Sequence, residues 1–186
     1  MSRMLRSMLY IPANSWRMIN RAVSEPADAV IVDLEDAVPV GEKETGRVFA
    51  RDAVLLFADA GFEIFIRVNS MGTGLVEEDV RYVAVEGLDG VMLPKTETNE
   101  DVARLERLLE NEEHQKGLES NSIGILPLIE SPRAVQNVFD IASASSRIAG
   151  LAFGAADFLR EMGVGFAITR LPFEEYYPLI LYARSR

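Results

Sequence analysis

AVIVDLED, residues 29–36, is an apolar run that turns abruptly acidic, and five other stretches of the chain repeat its shape. They are LYIPAN at 9–14, IFIRVN at 64–69, GVMLPK at 90–95, ILPLIE at 125–130 and LAFGAAD at 151–157. Each reads as a β-strand, apolar on both faces, that ends in a polar or charged cluster. From Asp36 the clusters recur at Arg67, Lys95, Glu130 and Asp157, in steps of 31, 28, 35 and 27 residues. Such a step is the length of one strand plus one helix.

The intervening stretches carry helical period. Residues 15–23 form the first, with Asn14 or Ser15 as N-cap. Residues 42–60 repeat apolar side chains at three- and four-residue steps until Gly61. A shorter helix is predicted over 76–85. Residues 99–117 show the clearest amphipathic pattern, with Val102, Leu105, Leu108 and Leu109 as the stripe. A fifth helix spans 131–144 with Pro132 in its first turn, where a missing N–H costs nothing.

Strands alternating with helices must run parallel, because each helix carries the chain back to the same end of the sheet. An open dinucleotide-binding sheet would place a glycine-rich turn after its first strand, and YIPANSW has none. Functional side chains at the ends of many strands instead mark a (β/α)8 TIM-barrel type fold. Only about six βα units fit where a complete barrel takes about 250 residues. The expectation is therefore one TIM-barrel-like domain over 1–186 that lacks the last two strands and the C-terminal segment.

Composition narrows the function classes. The chain has 186 residues, 48% of them hydrophobic, and a formal net charge of −10. That charge opposes a nucleic-acid partner, whose phosphates dominate such affinity. No cysteine is present, which removes disulfides, thiolate zinc sites and cysteine nucleophiles. No run approaches the ~20 apolar residues of a membrane span. A soluble, cytoplasmic protein with no membrane association is expected.

Glu130 and Asp157 end neighbouring parallel strands, so both project from one rim. A hard divalent cation suits such a pair, since Mg²⁺ is typically held by one or two carboxylates plus substrate oxygens. A single strand-end acid would more often be a helix cap. Arg67 closes an apolar strand, where its planar fork could bind a substrate carboxylate or pair with Asp33, Glu35 or Asp36. By strand alternation Asp33 and Glu35 share a face and Asp36 opposes them. Lys95 is read as an electrostatic group, because carboxylates nearby would hold its pKa too high for a Schiff-base nucleophile. Gly154 is read two ways, as part of a backbone oxyanion site or as a packing glycine. His114, the only histidine, falls on a polar helix end and is expected to be solvated.

Taken together, RSMLYIPAN, IVDLEDAV, IRVN, MLPK, LPLIES and LAFGAADF resemble, in order and over nearly the whole chain, the citrate lyase β-subunit family of the HpcH/HpaI aldolase superfamily. The resemblance implies an Mg²⁺-dependent carbon–carbon lyase or synthase acting on citryl-CoA- or malyl-CoA-type thioesters. It makes Glu130 and Asp157 the Mg²⁺ ligands and Arg67 the grip on the keto acid. Glu35, Asp36 and Lys95 then belong to the catalytic mouth, and Arg6 and Ser7 match the family's N-terminal Arg-Ser, near where a CoA phosphate or pantetheine arm is expected. A homo-oligomer, with other lyase subunits as further partners, is part of the same expectation. A CoA-independent aldolase, a thioesterase and a non-catalytic binding or assembly subunit stay open as alternatives.

Overall fold

The computed structural model describes residues 5–164 and 173–186. Six parallel strands pair in sequential order: β1 (Met8–Pro12), β2 (Ala29–Asp33), β3 (Glu63–Arg67), β4 (Gly90–Leu93), β5 (Gly124–Ile129) and β6 (Ala152–Phe153). Sequential order decides between the two architectures. A doubly wound sheet reverses its strand order midway to place helices on both faces, whereas right-handed crossovers that never reverse put every helix on one face. The sheet curls as a half-barrel of the TIM-barrel type.

Side-chain alternation sorts the strands into two packing layers. Val30, Val32, Ile64, Ile66, Val91, Leu93 and Ile125 face outward into the main core, against helical residues such as Ile19, Phe57, Val80 and Leu105. Ala29, Ile31, Phe65, Met92, Leu126 and Leu128 form a separate inner cluster. Gly90 is part of this inner packing: a Cβ there would stand 2.7 Å from the Phe65 ring. The inner row continues past the apolar layer to Asp33, Arg67 and Glu130, two residues beyond Ile31, Phe65 and Leu128. The barrel mouth is thus one more layer of the same alternation, made polar.

The helices follow their patterns: α1 (Trp16–Ala22), α2 (Lys43–Asp59), α3 (Val76–Val83) and α4 (Asn99–Lys116). Thr98 and Asp101 form a capping box at the start of α4, and Gly117 ends it in the left-handed region. The helix predicted over 131–144 is two helices, α5 (Pro132–Gln136) and α6 (Val138–Ala142). Asn137 breaks it: its backbone sits at φ −93°, ψ 9°, and its side chain donates to the Glu97 carbonyl at 2.9 Å. Asn14 is not a cap; its amide donates to Glu42 at 2.5 Å. The chain continues with α7 (Ala155–Glu161) and α8 (Phe173–Arg184). His114 is exposed near the end of α4, as expected.

Candidate functional site

The C-terminal ends of β2 and β3 are in register at Asp33 and Arg67. Arg67 donates from Nε and Nη2 to the two Asp33 oxygens at 2.7 and 2.6 Å. Asp33 also accepts the backbone N–H groups of Glu35 and Ala37, so its carboxylate is fully used. The guanidinium lies over the Tyr10 ring, 5.4 Å from its centroid. Burial opposes the Arg67 charge, but the bonds to Asp33 outweigh it and leave the pKa raised. The Nε–Nη2 edge is therefore structural, while Nη1 stands 3.3 Å from Glu35.

Glu35 is buried and poorly served. Lys95 Nζ lies 2.8 Å from one oxygen and Arg67 Nη1 3.3 Å from the other. The Lys95 contact is short enough for a charge-assisted hydrogen bond of imperfect direction, and the Arg67 contact is a longer ion pair. Burial raises the Glu35 pKa against the pull of Lys95 and Arg67. β2 ends at Asp33, so strand alternation does not extend to Asp36; its carboxylate is exposed and 3.8 Å from the same Lys95 ammonium that Glu35 meets.

Lys95 joins this group to the next strand. Its backbone takes a left-handed φ of 52°, which a non-glycine residue rarely adopts. Its N–H donates to Glu130 Oε1 at 2.7 Å. Glu35 beside the ammonium raises the Lys95 pKa, which supports the electrostatic reading over a Schiff base. Glu130 is only 3% exposed. Burial first, and the charges of Glu35 and Asp157, push its carboxyl up to about 7 despite the bond from Lys95. Asp157 does not end a strand as expected: β6 stops at Phe153, and Asp157 lies in the first turn of α7, where it pairs with Arg160.

Glu130, Asp157 and Lys95 open onto one cavity of about 620 Å³, bordered on the far side by the Ser70–Gly72 loop. Its wall carries five carboxylates (Glu97, Asp101, Glu130, Asp157 and Glu161) against three cations (Lys95, Arg133 and Arg160). An excess of two negative charges, with one carboxylate buried and held above its ordinary pKa, fits a dication. Three or more grouped acidic or histidine ligands do not occur among the described residues. The site thus matches Mg²⁺, which keeps several waters, better than a cation that requires an all-protein cage.

Of the two readings of Gly154, the packing one holds. Gly154 does not offer its N–H to a substrate oxyanion, because that N–H donates to Ile129 at 2.9 Å. The residue is a close-approach glycine: a Cβ would stand 2.7 Å from both Cβ and Oε2 of Glu130. Arg6 and Ser7 lie away from the carboxylate cluster. They precede β1 and bind Asp28, which precedes β2, at the opposite rim. Five residues of strand at about 3.3 Å each place them roughly 16 Å from the carboxylates.

The structure also shows supports that the strand ends did not reveal. Lys43 is buried, and its ammonium donates to the carbonyls of Leu34 and Glu35 and to Asn69 Oδ1 at 2.5–2.7 Å. Asn69 in turn donates to Asp79, which also accepts from Arg47 at 2.7 Å. This buried chain of charges fixes the loops after β2 and β3. Its sequence signal was present: Lys43 and Arg47 continue the stripe of Gly46, Ala50, Ala53, Val54 and Phe57 on the buried face of α2.

Comparison with known proteins agrees with this geometry. The family model of HpcH/HpaI aldolase/citrate lyase matches residues 6–168. The chain belongs to the HpcH/HpaI aldolase/citrate lyase family. The citrate lyase subunit beta of Escherichia coli K12 is 37% identical over 161 residues, covering 87% of this chain and 53% of that protein. A (3S)-malyl-CoA thioesterase of Cereibacter sphaeroides is 32% identical, covering 96% of this chain and 58% of that one. The citrate lyase beta subunit of Mycobacterium tuberculosis, solved with oxaloacetate and magnesium, superposes with a TM-score of 0.66 at 28% identity. It covers 84% of this chain and 60% of that structure. The chain spans about half the length of the curated relatives it matches. No helix among the described residues is long and apolar enough to cross a membrane.

Proposed function

We propose that this chain carries the cation- and keto-acid-binding mouth of an Mg²⁺-dependent carbon–carbon lyase acting on CoA thioesters of hydroxy acids, of the citryl-CoA or malyl-CoA type. The observation that carries the reading is the pair Glu130 and Asp157 on one cavity, with Glu130 buried and its carboxyl raised to about 7. Those two side chains would hold the cation. When bound, Mg²⁺ supplies Lewis-acid polarisation of the keto-acid carbonyl.

The protein's own groups provide the orientation. Asp33 holds one edge of Arg67, so the substrate carboxylate takes the Nη1–Nη2 edge, where the fork can still bind in a bidentate way. Glu35 ties Lys95, on the cavity wall, to Arg67 at the end of β3. Holding both reacting parts at fixed positions converts an encounter into an oriented reaction. A cytoplasmic location and assembly with other subunits or copies belong to the same proposal, by similarity to a protein named as a subunit.

The test is calorimetric titration of Mg²⁺ and oxaloacetate together into wild type and Glu130→Ala. Binding to wild type alone is expected; equal binding by both would remove the metal assignment. A second reading, hydrolysis of the thioester, is favoured by similarity to the malyl-CoA thioesterase. Products separate the two: cleavage releases a keto acid and an acyl-CoA, hydrolysis releases free CoA and the intact hydroxy acid.

A further inference from the structure

Arg160 stands in the cavity wall beside the carboxylates proposed to hold Mg²⁺, and its recorded partner is one of them. It follows Asp157 by three residues on α7, so the two share a helix face, and its Nη1 bonds the Asp157 carboxylate. Side chains on a helix lean towards its N-terminus, which for α7 is the barrel mouth. The Arg160 side chain is 69% exposed, and Asp157 is the only group among the described residues that holds it.

The other cations of the mouth are placed differently. Arg67 is held by Asp33, and Lys95 is 2.8 Å from Glu35. Arg133 reaches Glu97 at 3.4 Å. None of these acids is a proposed ligand of the cation. A dication on Asp157 would compete with Arg160 for the same carboxylate and repel its charge. Cation binding thus releases one guanidinium into a cavity whose charge the cation has just balanced. That guanidinium is suited to an anionic group of the substrate beyond the one carried to Arg67.

We propose that Arg160 is a specificity-determining residue: the counter-ion of Asp157 in the metal-free protein, and the partner of the second carboxylate of a keto diacid once Mg²⁺ is bound. This rests on the reading of Glu130 and Asp157 as the cation site. It selects keto diacids over keto monoacids, since a monoacid has no group to meet the released guanidinium.

Calorimetry on wild type, Arg160→Gln and Arg160→Lys tests it, with Mg²⁺ alone, then oxaloacetate and pyruvate each at saturating Mg²⁺. Loss of the positive charge should tighten Mg²⁺ alone by several-fold to about tenfold. Arg160→Gln should weaken oxaloacetate by about tenfold or more and leave pyruvate within about twofold, as expected for one charged carboxylate contact. Arg160→Lys should restore part of the oxaloacetate affinity, because it keeps the charge and loses the fork. Intact Mg²⁺ binding with both acids weakened alike, or neither changed, overturns this inference alone. Failure of wild type to bind Mg²⁺ overturns the cation site and this inference together.

Discussion

The two ends of the strands use the same residue types to opposite effect. At the N-terminal rim, Glu113 near the end of α4 accepts two bonds from Arg147 at 2.7 and 2.6 Å, and two more from the N–H groups of Ile123 and Asn121. Burial would raise its pKa, yet those bonds hold the carboxyl below its ordinary value. At the mouth, Glu130 is as little exposed, lies deeper in the protein and accepts one bond, from Lys95; burial and neighbouring negative charge push its carboxyl up to about 7. Glu35 is served by the Lys95 ammonium at 2.8 Å and the Arg67 guanidinium at 3.3 Å, and burial still raises its pKa. A satisfied carboxylate stabilises the fold; an underserved one is a place prepared for something else. The mouth departs from local optimum where a cation is proposed to sit, as expected of a barrel whose functional site lies at one face.

The largest effect should come from breaking the satisfied end. Arg147→Ala strands a buried carboxylate, so unfolding in urea should show a loss of about 3–5 kcal/mol. A loss below about 1 kcal/mol would erase the contrast. The mouth should respond in the opposite direction. An unfolded glutamate ionises near its ordinary pKa, so between that range and about pH 7 the folded, metal-free protein holds a proton that the unfolded chain has released. Its stability therefore falls as pH rises through that window. Glu130→Gln removes the penalty and should be more stable than metal-free wild type at pH 8 by on the order of 2–3 kcal/mol. The same variant should show no Mg²⁺-dependent rise in Tm, and wild type should show a larger rise at pH 8 than at pH 6.

The fold was readable because burial on both strand faces and a steady strand-plus-helix spacing are properties of the sequence itself. Three rim residues were readable for the same reason: Arg67, Lys95 and Glu130 lie at or just past the ends of apolar strands, whereas Asp157, read as a strand end, belongs to the first turn of α7. The buried supports were harder. Glu113 lies in the polar run NEEHQKG, yet it continues the stripe of Val102, Leu105 and Leu109 on α4. Lys43 and Arg47 do the same on α2. A charge on an apolar stripe names a buried partner somewhere, but the partner is distant in sequence and only the folded chain identifies it. The break at Asn137 was hidden for a related reason, since it depends on the carbonyl of Glu97, 40 residues earlier.

A third test separates crowding from charge at the mouth. Gly154→Ala would set a methyl group 2.7 Å from Glu130 Cβ and Oε2, so Glu130 or the strand must shift. Overpacking of this kind costs about 1–3 kcal/mol. Because the displaced atoms belong to the proposed cation site, Mg²⁺ affinity should fall along with stability. A loss of stability with unchanged Mg²⁺ titration would place the cation away from Glu130.

The smallest effect belongs to the exposed pair at the N-terminal rim. Arg6 Nη2 lies 3.0 Å from Asp28, whose carboxyl Arg6 holds well below its usual range, first through the side-chain bond and then through the backbone. Such a pair resembles Arg67 with Asp33 in chemistry and differs in burial: the Arg6 side chain is 77% exposed, against 13% for Arg67. Water screens the exposed charges, and Ser7 and the Arg6 N–H continue to serve Asp28 when the guanidinium is gone. Arg6→Ala should therefore leave Mg²⁺ and oxaloacetate binding unchanged in calorimetry, whereas Arg67→Ala, which strands buried Asp33 beneath the proposed site, should lose oxaloacetate binding. Any role of Arg6 and Ser7 with a CoA thioester would then be seen only in titrations with the thioester. A drop in Mg²⁺ or oxaloacetate affinity in Arg6→Ala would show that the two rims communicate through the strands, and the division between a structural end and a working end would fail.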